Sequence, residues 1–293
     1  MSTTLLVYGI IVLAVGPLAA GLIAIAVGGR VRPERQPCPA LLFHSVPQTG
    51  VQGLSYTTAA TCRGLLEYLH AHEYTTLTVD QACDGGARDA RRPIVLTFDD
   101  AFEDFCANVL PVLERLNMRV TLFPIVNYIG RSSTWDIYKP LDHLSAAKLR
   151  EIAGKGHEIG SHTLSHPDLL FLSREDVRHE LHDSRQALED IVGKPIRSLS
   201  FPYGRWNGRI WQQAQECGYV NATVYGNHIP DSGRLLHVEG TYSFDTLSDL
   251  VEKVERRRPL SNVFARSRIM PHFAKGSPVW LFRKNYHILR GGQ

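Results

Sequence analysis

The chain has 293 residues, 44% of them hydrophobic and 21% charged, with a formal net charge of +3. Those totals place it with ordinary globular proteins of one large or two small domains and exclude a disordered or low-complexity chain. The near-neutral charge conceals an asymmetry, because from Arg256 onward there are nine Lys or Arg and no Asp or Glu, against 23 basic and 29 acidic residues before it. Five cysteines (Cys38, Cys62, Cys83, Cys106, Cys217) form no CxxC pair. That scatter is neither a disulfide framework nor a zinc ribbon, although a single Cys62–Cys83 bridge is compatible with it.

Ser2 to Gly29 carries no charge and is long enough to span a bilayer, so residues 1–36 read as one N-terminal transmembrane helix and a short linker. Arg30, Arg32 and Arg35 follow at once, which by the positive-inside rule favours a cytoplasmic body. Ala40 to Pro47 reads as a first core strand that ends at the polar His44-Ser45 pair. A helix is expected over 57–72, a strand over 75–79, and a capping box at Thr78–Gln81. Ile94-Val95-Leu96-Thr97-Phe98 is a buried strand running into Asp99-Asp100. Phe102, Phe105, Val109, Val112, Leu113 and Leu116 then lie on one face of a helix over 102–117.

Further strands are expected over 118–126, 157–162, 196–201, 219–225 and 235–238, and further helices over 145–154, 173–192, 207–218 and 246–257. Alternation of this kind makes right-handed βαβ units around a parallel sheet. No GxGxxG or GxxxxGK loop is present, so a nucleotide-binding sheet is unsupported. Polar residues stand instead at strand ends (His44, Asp99, Asp100, His162, Tyr203), the face on which barrel active sites lie. The expected fold class is therefore α/β, a (β/α) barrel.

Two adjacent buried carboxylates repel unless a cation compensates them. Within a strand they point apart, so both face one site only where the strand ends and turns. His162 and His166 are four apart, the spacing of two ligands on one side of a helical turn. Two His and one carboxylate make a metal site with open positions, and zinc there acts as a Lewis acid that acidifies bound water.

Taken together, Thr97-Phe98-Asp99-Asp100, His162-Thr163-Leu164-Ser165-His166-Pro167 and Phe201-Pro202-Tyr203-Gly204 resemble the three successive motifs of the polysaccharide deacetylases of the NodB-homology type, carbohydrate esterase family four. The resemblance covers roughly residues 40 to 250. It implies a distorted (β/α) barrel over 37–260 and a hydrolase of amide bonds that removes an acyl group from N-acyl amino sugars. Carried over, Asp100, His162 and His166 hold a divalent metal, Zn2+ foremost. Asp99 is the general base, and the backbone N–H of Tyr203, in its Pro202 to Gly204 turn, binds the oxyanion. Two departures stand out: the third motif usually has Arg where this chain has Ser200, and no later Asp-Trp motif is found. Arg205 or Arg209 is the expected substitute partner of the base.

For the general acid, Phe43-His44-Ser45-Val46 resembles one form used in the family, and Leu235-Leu236-His237 resembles another; His44 is favoured. Trp135, Tyr138 and Trp206 are candidate sugar-stacking aromatics. The extension over 261–293 interleaves cations with Phe264, Phe273, Trp280, Phe282 and Tyr286, which suits either an anionic membrane surface or a final barrel strand with basic flanks. No nucleic-acid motif accompanies its charge. The expected substrate is an N-acetylated glycan such as an N-acetylglucosamine polymer. The alternatives are a lipid-linked amino sugar at the membrane face, or a catalytically inactive glycan-binding or scaffold relative.

Overall fold

The computed structural model describes residues 38–50, 53–133, 140–225 and 233–256. The expected anchor over 1–36, Trp135, Tyr138 and the basic extension over 261–293 lie outside the described residues. Among the described residues no helix is long and apolar enough to cross a membrane.

Three strands start the sheet: β1 (Ala40–Phe43), β2 (Thr75–Leu77) and β3 (Pro93–Asp100). At eight residues β3 is long enough to serve two partners along one edge. Its first half pairs with β2 (Leu77↔Val95) and its second half with β4 (Thr121–Pro124; Asp99↔Phe123). On the other edge β1 runs parallel to it, with Phe43 opposite Phe98. β5 (Glu158–Ile159) pairs with β4. A second sheet contains β6 (Ser198–Ser200), β7 (Asn221–Val224) and β8 (Leu235–His237).

The two sheets join at both ends. Ser161 bridges to Leu199 beyond β5, and its N–H bonds the Ser198 carbonyl at 2.9 Å. At the other end β8 runs directly into β9 (Glu239–Gly240), which pairs with β1 (Leu42↔Gly240). One stretch, 235–240, thus leans on β7 with its first half and on β1 with its second. The result is a parallel (β/α) barrel, as the alternation of elements predicts, in the distorted form that the family resemblance implies.

Period-two alternation sorts the side chains into layers. Ala40, Leu42, Val95, Phe123, Leu236 and Val238 fill the barrel interior. Leu41, Phe43, Leu96 and Phe98 face outward, under the helices. Gly160 is required by this interior, since a Cβ there would stand 2.3 Å from the Phe123 ring and 2.8 Å from the Ser198 carbonyl oxygen.

The outer helices follow their caps. α1 (Ala59–Ala71) starts at Thr58, whose hydroxyl accepts from the Thr61 N–H, and buries Cys62, Leu65, Leu66 and Leu69. The Thr78–Gln81 capping box is present. The single helix expected over 102–117 is two, α2 (Asp104–Asn108) and α3 (Leu110–Arg115). Pro111 explains the break, because it has no N–H to continue the ladder. α4 (Ala146–Gly154) and α5 (Arg174–Val192) follow, capped by Ser145 and Ser173, and α5 stops at left-handed Gly193. α6 (Gly208–Glu216) and α7 (Leu247–Val254) complete the set. All five cysteines are free thiols, so the Cys62–Cys83 bridge is not formed.

Candidate active site

The site lies where β3, β5 and β6 end. Asp99 and Asp100 escape the alternation because the chain turns there: Asp100 (φ 66°) and Ala101 (φ 57°) are both left-handed. Non-glycine residues in that region cost on the order of 1–2 kcal/mol each, so something must hold the turn. His143 does: its buried ring bonds the Asp100 carbonyl through Nδ1 at 2.8 Å, and the next residue, Leu144, donates its N–H to Ala101 O at 2.9 Å. Asp100 does not cap a helix, since α2 begins at Asp104.

The segment carrying the two histidines is not a helical turn as its spacing suggests. Thr163 (φ 70°) and His166 (φ 61°) are both left-handed, and the four residues between His162 and Pro167 form a tight non-helical loop. Thr163 Oγ1 accepts from the His166 N–H at 3.1 Å, and Ser161 Oγ accepts from the Thr163 N–H at 3.1 Å. Glu180 on α5 accepts three more bonds from the loop, from the Leu164 N–H (2.9 Å), the Ser165 N–H (2.9 Å) and the Ser165 hydroxyl (2.5 Å).

Both imidazoles turn the same nitrogen inward. His162 Nδ1 bonds the Ser200 carbonyl at 2.8 Å; a carbonyl only accepts, so Nδ1 carries the proton and Nε2 presents a lone pair. His166 Nδ1 meets the Tyr203 hydroxyl at 3.2 Å. The Nε2 atoms of His162 and His166 lie 3.7 and 3.9 Å from Asp100 Oδ1. All three ligand atoms are within 4.8 Å of one another, and all three residues are buried. Tetrahedral ligands at the usual bond lengths sit about 3.3–3.5 Å apart, so a slight contraction fits a divalent ion. Burial holds the His162 pKa below its ordinary value, with Asp100 and the Ser200 carbonyl opposing, which keeps the neutral ligand form.

Asp99 stands beside this triad, with Oδ2 3.7 Å from His162 Nε2. Ser200 donates its hydroxyl to Oδ2 at 2.8 Å, while Oδ1 is buried with no hydrogen-bond partner. Burial pushes Asp99 up to about 7, and the Ser200 hydroxyl pulls the other way. The place of the missing arginine is thus taken by Ser200 itself and by neither expected substitute. Arg205 binds Asp168 at 3.0 Å and lies over the Phe171 ring, and Arg209 is exposed on α6.

His44 follows Phe43, and the same register continued by one residue sets it beside Asp99, on the interior face with Ala40 and Leu42. The turn after it is pinned by α2, where Asp104 accepts from the Ser45 hydroxyl (2.5 Å) and the Val46 N–H (2.9 Å). His237 goes the other way. Leu236 and Val238 point into the barrel, so His237 between them faces outward, away from Asp99.

Pro202, Tyr203 and Gly204 form one turn after β6, with Tyr203 left-handed at φ 58°. A side chain at Gly204 would meet Tyr225 Cβ at 2.8 Å, so that position must be glycine. Trp206 stacks on the core ring Phe201 at 5.9 Å and serves packing first. His143, Ser200 and Glu180 are site residues that the sequence reading missed. Glu180 carried a signal, a carboxylate beside the buried stripe Val177, Leu181, Ser184, Leu188 of α5; His143 carried none.

Comparison with known proteins agrees with this geometry. The Bacillus subtilis protein YxkH is 29% identical over 157 residues, 53% of each chain. A chitooligosaccharide deacetylase from Bradyrhizobium is 27% identical over 129 residues, 43% of this chain and 53% of the relative. The chain therefore spans about half the length of the curated relatives it matches. In fold, a Streptococcus pyogenes deacetylase solved in complex with acetate superposes with a TM-score of 0.65 at 19% identity, over 76% of this chain and 98% of that one. The family model for polysaccharide deacetylase matches residues 86–222, and that stretch holds all three motifs.

Proposed function

We propose that this chain is a metal-dependent deacetylase that hydrolyses the N-acetyl group of N-acetylglucosamine-type residues in a glycan. The observation that supports it most is the convergence, at one barrel end, of a buried carboxylate held by a hydroxyl (Asp99) and a buried Asp-His-His triad. The Bradyrhizobium relative, a chitooligosaccharide deacetylase by name, supports the substrate class.

In this mechanism Asp100, His162 and His166 would hold a divalent cation, Zn2+ foremost, and such an ion would supply Lewis-acid chemistry to the amide carbonyl and to water. Asp99 takes the proton of the attacking water through Oδ1, the oxygen left open when Ser200 holds Oδ2. The charge of a cation held there would favour the ionised form of Asp99 against the effect of burial. The Tyr203 backbone N–H bonds the oxygen that gains charge as the carbonyl carbon becomes tetrahedral. His44, across from the metal ligands on the β1 side of Asp99, gives its proton to the departing amine.

The test is acetate release from N-acetylated chitooligosaccharides by the zinc-loaded chain, compared with Asp99→Asn. Wild-type protein that binds zinc and releases no acetate from these or from peptidoglycan fragments would overturn the reading. Residues 1–36 we read as a membrane anchor and 261–293 as a basic, aromatic-rich extension. The arginines after the apolar run favour a body on the cytoplasmic side, where a lipid-linked amino sugar becomes the substrate. A reporter fused to the C-terminus distinguishes the two faces; a periplasmic or external signal removes the lipid-linked alternative.

A further inference from the structure

The loop that carries both histidine ligands has no regular hydrogen-bond ladder of its own. Its shape depends on α5, a helix that otherwise buries apolar residues (Val177, Leu181, Leu188, Val192) against the barrel. Two polar residues four apart interrupt that buried face, Glu180 and Ser184. Each reaches the histidine loop. Ser184 Oγ accepts from the Ser161 hydroxyl at 3.0 Å, just before His162. Glu180 takes the consecutive N–H groups of Leu164 and Ser165 on one oxygen and the Ser165 hydroxyl on the other.

Consecutive backbone N–H groups converging on one oxygen make a small anion-binding concavity. Here it forms because the loop is left-handed at Thr163 and at His166, the residues that flank Leu164 and Ser165. A carboxylate buried at that spot, with both oxygens committed to the loop, favours this one backbone shape. The shape in turn fixes how His166 Nε2 stands relative to His162 Nε2 and Asp100 Oδ1.

We infer that Glu180 is a positioning residue for the metal centre, which preorganises the His162–His166 loop so that both Nε2 atoms meet one ion. The inference rests on the proposed metal site. Glu180 touches neither metal nor substrate; it acts through the backbone of the residues between the two ligands. Outer partners that orient metal ligands change affinity by about 10–100-fold when lost. Glu180→Gln keeps size and burial but removes the charge and sets an NH2 group against a cluster of donors.

The test measures zinc affinity of the full chain by competition with a chromophoric chelator, and the visible spectrum of the cobalt(II) form, for wild type, Glu180→Gln and His166→Ala. The expected result is a loss of about 10–100-fold in zinc affinity for Glu180→Gln with an altered cobalt spectrum, while circular dichroism shows the folded domain. If Glu180→Gln does not fold, Ser165→Ala removes one of the three bonds and is expected to weaken zinc binding about threefold or more. Wild-type affinity and spectrum in the folded variants overturn the role of Glu180 alone. Wild-type protein whose zinc affinity equals that of His166→Ala overturns the metal site, and the Glu180 role with it.

Discussion

Replacing Ser200 by alanine isolates the hydrogen bond that the Asp99 carboxylate receives among the described residues. Ser200 Oγ donates to Asp99 Oδ2 at 2.8 Å, both groups are buried, and the His162 contact uses the Ser200 backbone carbonyl, which alanine keeps. A hydrogen bond to a charged group contributes about 1.5–3 kcal/mol. At about 1.36 kcal/mol per pH unit, its loss raises the Asp99 pKa by about one to two units from the value that burial and Ser200 together set. The base works ionised, so activity is present above its pKa and lost as pH falls through it. In Ser200→Ala the acidic limb of kcat/KM therefore moves about one to two units toward alkaline pH. A bound cation lowers the limb in both proteins and leaves the difference between them. The assay is deacetylation of a chitooligosaccharide at saturating zinc over a broad pH range. An acidic limb that stays in place, or a loss equal at every pH, refutes the assignment of Ser200 as the partner of the base.

Asp99→Asn is expected to lower kcat by about 10²–10⁴ with zinc stoichiometry unchanged, since the proposed ligand is Asp100 and not Asp99; activity and metal content measured on one preparation check this. His157 is buried, accepts the Val120 N–H through Nδ1 at 3.3 Å, and burial with nearby Arg119 depresses it to about 4. A histidine lowered in the fold is protonated first in the unfolded chain, so stability is full above pH 6.5 and declines as pH falls toward 4. Urea titrations over that window should lose about 1–3 kcal/mol, and His157→Gln should flatten the slope; an unchanged slope counts against the buried neutral ring. Gly160→Ala places a methyl 2.3 Å from the Phe123 ring and should cost about 1–3 kcal/mol, with partial recovery in the double variant with Phe123→Leu, read as Tm.

Much of the scaffold was legible because the relevant forces are local. Thr58, Ser145, Ser173 and Asn207 cap helices from side chains adjacent in sequence, and β3 announces itself by its apolar run. The opposed pointing of adjacent strand residues predicted that Asp99 and Asp100 share a site only at a turn, and the left-handed Asp100 and Ala101 supply it. Partners distant in sequence were not legible. A serine in place of an expected arginine reads as a loss, and only the approach of β6 to β3 shows that its hydroxyl bonds the Asp99 carboxylate. The i, i+4 spacing of His162 and His166 suggests a helix, yet Thr163 adopts a left-handed backbone that spacing cannot reveal. His237 resembled a second form of the family's acid motif, with His44 favoured; alternation against Leu236 and Val238 turns His237 away.

The six-residue stretch that passes from β7 to β1 has a practical consequence for where this protein can be cut. The recognisable family region stops at residue 222, before that stretch begins, and starts at residue 86, after β1. A fragment trimmed to those limits is a barrel with missing staves. The flanks of β3 that face β1 and β2 would present bare N–H and C=O groups, an invitation to intermolecular pairing, and β7 would be cut after Ala222, halfway along its length. It would hold every proposed metal ligand and still lack His44. Such a fragment can bind an ion and fail as an enzyme, or aggregate before either is measured, so the minimal unit runs from β1 through α7.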